Sequence, residues 1–357
     1  MAQESPSRKE FIARTVIVTA VIAATIVLLF VLRHIAQMLL VLFAGVLLAV
    51  LLDNLANRLT RLSHAPRPIT LIVVIVILLL VGTLFGWFIG PRIADQMSGL
   101  VERIPEALTN VQDELRATAL GRQVLRMLTD PREILKPGSE LFGQVTGIFS
   151  SALGALTSVV ITFFIGIYLA ANPRSYMTNA TMIVPPAKRE RAMQVLVAVG
   201  RALRWWLAGR LASMAIVGVL TAIGFWIAGI PLALTLGLIA AVLSFVPLIG
   251  PTLAAIPMIL VALAEDPTLV IWALLVYGIV QLLETYVITP GIQKEAVFIP
   301  PALLLSVEIL LGVLFGIPGI LLATPIAVIG IVLVQMLYIE DVLGDSVRVM
   351  GDHGPQE

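Results

Sequence analysis

The sequence predicts an all-α polytopic membrane protein with about eight transmembrane segments, two of which are broken or re-entrant helical hairpins. Of its 357 residues, 59% are hydrophobic and only 13% are charged, whereas soluble domains carry about 25% charged residues. Several apolar runs reach the length of about 20 residues that a helix needs to cross the hydrocarbon core. Two longer apolar runs are interrupted by proline and glycine, and proline breaks or kinks a helix.

Charge, cysteine content and motifs exclude several classes of protein. The net charge of +1 argues against a nucleic-acid partner, and a chain without cysteine has no disulfide, thiol nucleophile or cysteine metal site. The sequence contains no HExxH zinc motif, no GxSxG nucleophile motif and no Walker motif for ATP. We therefore expect no enzyme, no cofactor and no metal, and a transport process that does not hydrolyse ATP.

Residues 1–90 contain three predicted spans. Apolar stretches 15–32 and 35–52 are separated only by Arg33 and His34, and we expect a tight hairpin at that point. The third span, 69–90, carries small residues at intervals of four on one helix face: Gly82, Gly86 and Gly90. Small residues at this spacing let helices approach closely, so this face is expected to pack against a helix of the same chain or of another protomer.

The next regions set the predicted orientation. Residues 91–147 mix charges with apolar residues at helical spacing, which predicts an extracytoplasmic helical subdomain whose apolar stripe rests on the bundle or forms oligomer contacts. Residues 148–204 contain span 4 and a basic segment, and short basic loops remain in the cytoplasm. Counting one crossing per span then places both termini, including the tail 339–357, in the cytoplasm.

Residues 205–338 form the predicted transport core, which consists of span 5, a broken helix at 231–264, span 7 and a second broken helix at 301–338. The two breaks lie at SFVPLIGPTLAAIP and FGIPGILLATP. Opposed broken helices in inverted repeats are typical of alternating-access transporters; the alternative is two proline-kinked helices packed by their neighbours. The residues expected to shape the tips and gates are Pro247, Gly250, Pro251, Pro290, Pro318, Gly319 and Pro325.

Polar side chains inside these spans are the candidate substrate or ion path. Tyr277, Gln281 and Glu284 share one face of span 7, and Glu308 lies within the second broken helix. An intramembrane carboxylate is a functional candidate by default. The structural alternatives are an interhelical hydrogen-bond cluster around Glu284 and an ion pair between Glu308 and an arginine such as Arg210. Three hydroxyl groups near the tips complete the candidates: Ser244, Thr252 and Thr324.

These motifs, in this order, resemble the autoinducer-2 exporter family of bacterial transporters. The resemblance covers nearly the whole chain and rests on PRIADQMSGLVERIP, WWLAGR, SFVPLIGPTLAAIP, ETYVITPGIQ and FGIPGILLATP. It implies eight spans, no ATPase domain, a place in the bacterial cytoplasmic (inner) membrane and a homopentameric assembly. Tyr286 and Glu308 differ from the small polar and the apolar residue that the resemblance leads us to expect.

The residues and the resemblance together predict a membrane transporter for a small polar solute, such as an autoinducer-2-like signal. Alternating access would open a site between the two broken helices to each side of the bilayer in turn. The alternatives are a sodium/proton antiporter that uses the membrane-embedded carboxylates, and a passive channel. Flux that saturates and couples to an ion gradient distinguishes a transporter from a channel.

Overall fold

The computed structural model describes residues 8–84, 86–87, 152–292 and 299–345, and the regular secondary structure of these residues is entirely helical. The predicted all-α class is therefore confirmed. Five of the described helices are long and apolar enough to cross a membrane. The predicted subdomain at 91–147, Gly90 and the end of the tail lie outside the described residues.

The first helix, α1, runs without interruption from Arg8 to Ser63, and the hairpin predicted at Arg33 and His34 is wrong. A charged residue does not by itself disfavour a helix as proline or glycine does, and neither of these occurs there. His34 is accommodated within the helix, since its Nδ1 donates to the carbonyl of Phe30 at 3.0 Å. Without a turn, the crossing count that placed the N-terminus beside the 53–68 loop no longer applies.

A short connection leads from α1 to α2, Arg67–Leu84, and α3 follows at Ala152–Ala171. α3 packs along α1. A surface helix, α4, occupies Pro173–Thr181 and begins with proline, the residue favoured in a first turn.

The central element is α5, Arg189–Ile227, a 39-residue helix that contacts α1 and most helices of the C-terminal half. At about 1.5 Å per residue it is about 58 Å long, so it is long enough to cross a bilayer and to project beyond it. Its basic first half is the predicted basic segment, and its apolar second half is predicted span 5.

Both broken runs are pairs of helices that pack on each other. The first consists of α6, Ala233–Leu243, and α7, Ile249–Glu265. The second consists of α9, Pro301–Phe315, and α10, Ile317–Leu333, which continues as a π-helix over Val334–Leu343. The second pair is unequal, because α10 with its extension reaches a membrane-spanning length and only α9 is short.

Between the two pairs lies α8, Pro267–Leu283, which continues through a π-helical turn, Glu284–Ile288, to Thr289–Ile292. Asp266 caps α8, since its carboxylate accepts from the backbone N–H and the hydroxyl of Thr268, both at 2.8 Å. These two bonds hold the pKa of Asp266 below its usual value.

Two apolar clusters hold the C-terminal half together. One joins α5 to α6, α7 and α8 around Val217, Phe225 and Met258, and the other joins α5 to α1 and α10 around Leu203, Trp206 and Val328. Phe245 from the first break and Phe315 from the second both pack against the second cluster. The two breaks are thus brought to the same region of the bundle.

Candidate functional site

A charged cluster is buried among α5, α8 and the first break. Arg210, on α5, lies with its Nη1 3.4 Å from Oε1 of Glu284, and its Nε donates to the carbonyl of Phe245 at 3.1 Å. The Arg210 and Glu284 side chains are only 5% and 8% exposed. A desolvated charge is costly unless it is paired. The pairing therefore fixes Arg210 and Glu284 beside each other in the buried interior.

The pairing within this cluster is incomplete. Nη2 of Arg210 and Oε2 of Glu284 are buried, and neither has a hydrogen-bond partner among the described residues. The 3.4 Å separation is also longer than the 2.7–2.9 Å of strong charge-assisted hydrogen bonds. The cluster therefore retains donor and acceptor capacity for a further group.

Glu284 is the first residue of the π-helical turn that follows α8. Single π-helical turns inside helices occur frequently at functional sites, because the extra residue shifts the side chains that follow. Here the turn begins at Glu284 itself, the carboxylate that pairs with Arg210.

Glu308 is the second buried carboxylate. It lies in the middle of α9 and is fully buried, and neither carboxylate oxygen has a hydrogen-bond partner in the described part of the chain. Its charge interacts electrostatically with that of Arg210. Arg210 thus pairs directly with Glu284 and interacts with Glu308 only through its charge, at longer range.

The first break contains a strained turn. Ile249 donates its backbone N–H to the carbonyl of Pro247 at 2.7 Å, and Leu248 between them has φ 63° and ψ −59°. This is a γ-turn with positive φ at its centre, which is rare and strained for a residue with a side chain. The strain lies three residues from Phe245, whose carbonyl accepts from Arg210.

Glycine allows the closest helix contacts at both tips. A Cβ added to Gly250 would overlap the carbonyl group of Leu243, and one added to Gly319 would overlap that of Leu311. In each case the obstacle is the backbone of the preceding helix, which cannot rotate away. Gly250 and Gly319 therefore allow the two helices of each pair to approach closely beside the breaks, and their role in gating stays a prediction.

The other predicted tip residues lie close to the breaks, with two exceptions. Pro251 and Pro318 are in the first turns of α7 and α10, and Pro247 is in the γ-turn. Pro325, in contrast, lies inside α10 and is buried. Pro290 lies in the short turn that follows the π-helical turn, away from both breaks in sequence.

Three of the predicted path residues donate a hydroxyl to a backbone carbonyl at or near the first break. Tyr277 donates its hydroxyl to the carbonyl of Pro251 at 3.0 Å, and Thr252 donates to that of Leu248 at 3.2 Å. Ser244 is fully buried and donates to Ala241 at 2.9 Å. Thr324 is buried in α10, and Gln281 has an amide nitrogen without a partner among the described residues.

Sequence reasoning named Arg210 only as a possible partner of Glu308, although it is the centre of the cluster. The available signal was an arginine inside an apolar stretch. Trp206, one turn before Arg210, was also missed as a contact of the tip; its ring meets that of Phe245 edge-on, with centroids 5.8 Å apart. Trp206 and Arg210 together fix Phe245 by its ring and by its carbonyl.

Charged clusters also lie outside the buried region. In one, Asp53 pairs with Arg67 at 2.8 Å and Arg204 at 3.4 Å. In another, Arg191 pairs with Glu340 at 2.7 Å and Asp341 at 2.8 Å, which ties the start of α5 to the end of the α10 extension.

The predicted packing face of α2 stays a prediction. No atom of the described residues lies within 4 Å of a Cβ added to Gly82 or Gly86. A helix that packs on this face would therefore come from outside the described residues or from another chain.

Comparisons with known proteins support the resemblance noted in the sequence. A family model described as AI-2E family transporter matches residues 18–339. A Bacillus subtilis relative named "Putative transport protein YueF" is 27% identical over 307 residues, covering 80% of this chain and 81% of its own. A Thermotoga maritima protein of the same description is 24% identical over 290 residues, covering 80% and 86% of the two chains. A Mycobacterium tuberculosis relative, MT0215, is 30% identical over 205 residues, which is 56% of this chain and 54% of its own.

Proposed function

Since the chain belongs to the AI-2E family of transporters, we propose that it is a secondary transporter in which Arg210, Glu284 and Glu308 couple the movement of a small polar solute to a proton or a monovalent cation. The membrane transporter class follows from the family and from the multi-pass helical fold. The site and the coupling are the proposal.

The observation that carries this proposal is the charge imbalance of the buried cluster. One guanidinium faces two carboxylates, and both oxygens of Glu308 lack a partner among the described residues. An isolated buried charge is costly, so the cluster favours uptake of one further positive charge. A proton on a carboxylate or a bound sodium ion would supply it.

The position of the cluster gives this uptake a route to conformational change. Arg210 holds the first break through the carbonyl of Phe245, and Glu308 lies on the short helix that leads to the second break. A cation that neutralises Glu308 would weaken the attraction between Glu308 and Arg210. Arg210 could then shift and alter its hydrogen bond to the carbonyl of Phe245 at the first break. Such a step fits alternating access between broken helices.

We place the protein in the bacterial cytoplasmic membrane. The basic loops would face the cytoplasm, and the C-terminal end of α10 would lie on the same side, because Arg191 binds Glu340 and Asp341. A small polar signal of the autoinducer-2 type is the proposed solute, through the family name alone. A homo-oligomeric assembly, a pentamer as the resemblance implies, remains part of the proposal.

The test uses the purified protein in proteoliposomes with an imposed pH gradient, while internal pH and labelled autoinducer-2 are followed together. We expect Glu308→Gln to abolish gradient-driven accumulation and proton movement, and Glu284→Gln to impair both. The matched control is Glu265→Gln, because Glu265 is an exposed carboxylate at the end of α7.

Each possible result decides between the candidate functions. Sodium-dependent proton movement without signal flux would favour the sodium/proton antiporter, whose support is the same unpartnered Glu308. Saturable signal flux that is unchanged in both glutamate variants would overturn the coupling role and would leave Glu284 and Glu308 with a structural role only. Flux that does not saturate would indicate a channel.

A further inference from the structure

Four arginines line a cavity of about 330 Å³ between the end of α1 and the middle of α5. Arg58 and Arg61 come from α1, and Arg201 and Arg204 come from α5, next to Trp205. The described residues that line it include no acidic side chain. This cavity is separate from the buried cluster around Arg210.

The positive charge that Arg58, Arg61 and Arg204 bring to this cavity is only partly compensated. Arg204 lies 3.4 Å from Asp53, but Asp53 also binds Arg67 at 2.8 Å. Arg58 and Arg61 are exposed and form no ion pair or hydrogen bond with the described residues. A neighbouring cavity of about 560 Å³ shares Arg201 and Arg204 and adds Arg174 of α4, so the positive region extends toward α4.

Guanidinium groups arranged in this way suit a phosphate group. Arginine presents its N–H donors in a planar fork that matches two phosphate oxygens, and its charge persists at every physiological pH. Several arginines around one cavity can share the oxygens of a single phosphodiester.

The cavity lies where the apolar part of α5 begins. Trp205 is partly exposed at this level, and tryptophan is enriched where the hydrocarbon region meets the headgroups. Leu211, Ala212 and Ala215 are exposed further along α5. They follow Ala208, which lines the cavity, at helical spacing, and so they form an apolar stripe on the same face of the helix. An apolar stripe therefore leads directly from the arginines toward the hydrocarbon region.

We propose that this cavity binds the headgroup of an anionic phospholipid, with the phosphodiester between the arginines and an acyl chain along the apolar stripe. Basic pockets between membrane helices bind anionic lipid headgroups of this kind. A soluble phosphate ester has the same phosphate chemistry but no acyl chain to contact the apolar stripe. A competition between the two ligands therefore distinguishes a lipid from a soluble phosphate ester.

The test is native mass spectrometry of the full-length protein in detergent, titrated with phosphatidylglycerol or with phosphatidylcholine. We expect tighter binding of phosphatidylglycerol and an affinity about 30-fold lower in the double variant Arg58→Gln/Arg61→Gln, from the effect of two basic side chains near a headgroup. The matched control is Lys188→Gln/Arg189→Gln, which removes the same charge from exposed positions outside the cavity. Thermal unfolding of all variants checks that they are folded.

Three results would overturn the proposal. Equal losses of affinity in the two double variants would show that general surface charge attracts the lipid. Equal affinities for the two lipids would show that the arginines do not select an anion. Displacement of phosphatidylglycerol by an equal concentration of sn-glycerol 1-phosphate would assign the cavity to a soluble phosphate ester.

Discussion

Arg191 and Arg210 lie about five turns apart on α5, and each pairs with carboxylates from distant parts of the chain. The Arg191 side chain is 31% exposed and its ion pairs measure 2.7 and 2.8 Å. It also donates to the carbonyl of Met336 at 2.8 Å. The Arg210 side chain is buried, yet its pair with Glu284 measures 3.4 Å and leaves polar atoms on both residues without partners among the described residues.

Stability alone would favour the opposite arrangement, in which the shorter ion pairs are buried and the longer one is exposed. A buried ion pair offsets its desolvation only when its geometry is good and its remaining polar atoms are satisfied. The exposed pair has that geometry, and the buried one does not. A site that must release and rebind a cation, in contrast, needs groups whose hydrogen-bonding capacity is not used up. We infer that the exposed cluster around Arg191 fastens two helix ends, and that the buried cluster around Arg210 is adapted to bind and release a cation.

The largest expected effect is the loss of the buried guanidinium. Arg210→Met leaves Glu284 and Glu308 buried without their cation, and we expect it to lower the free energy of unfolding by about 3–5 kcal/mol. Unfolding of the protein in nanodiscs, followed by tryptophan fluorescence, measures the change. Adding Glu284→Gln should recover part of the loss, since one of the two carboxylates is then neutral. A double variant no more stable than Arg210→Met would show that the cluster makes no electrostatic contribution of this kind.

A smaller effect is expected at the tip that carries Phe245. Gly250→Ala places a methyl group against the carbonyl of Leu243, and such overpacking costs about 1–3 kcal/mol. Because the tip moves in the proposed mechanism, we also expect Gly250→Ala to lower the rate of gradient-driven transport by more than its loss of folded protein explains. Gly278→Ala is the control, since Gly278 is in α8 with no atom of the described residues within 4 Å of an added Cβ. Equal losses in the two variants would indicate a general helix effect.

The smallest effect is expected at the exposed cluster. Arg191→Gln should lower the free energy of unfolding by no more than about 1 kcal/mol, as is usual for exposed ion pairs. The loss should shrink as salt is raised from about 0.1 M to about 1 M, because the Debye length falls from about 10 Å to about 3 Å. The effect of Arg210→Met should change little over the same range. Salt dependence of the same size at both arginines would remove the distinction between the clusters.

Composition and local chemistry predicted much of the fold. Apolar run lengths gave the all-α membrane class, and proline with glycine located both breaks to within a few residues. The failures have physical causes. The hairpin at Arg33 and His34 was inferred from charge, but charge alone leaves the helical hydrogen bonds intact. The first break itself ends in a strained turn at Leu248, a residue whose side chain gives no local signal for positive φ.

The candidate site was predicted in its parts and not in its arrangement. Glu284 and Glu308 stood out as carboxylates in apolar surroundings, which is a local property. The pairing of Glu284 with Arg210 joins residues 74 positions apart, and no local pattern encodes that choice. The sequence also could not reveal that Tyr277 uses its hydroxyl to hold Pro251, because this depends on how α7 and α8 pack.

The distance along the chain between Arg210 and Glu284 also affects how the protein is made. A ribosome adds about 5–20 residues per second, so Glu284 is synthesised roughly 4–15 s after Arg210. During that interval α5 reaches the insertion machinery with an uncompensated arginine, whose cost has an upper limit of about 2.5–3.5 kcal/mol, the value at the centre of a membrane helix. The apolar second half of α5 must offset this cost by itself, or α5 must remain at the translocon until α8 and Glu284 have been synthesised. Biogenesis of this transporter therefore depends on the order in which its charges emerge, as well as on their final positions.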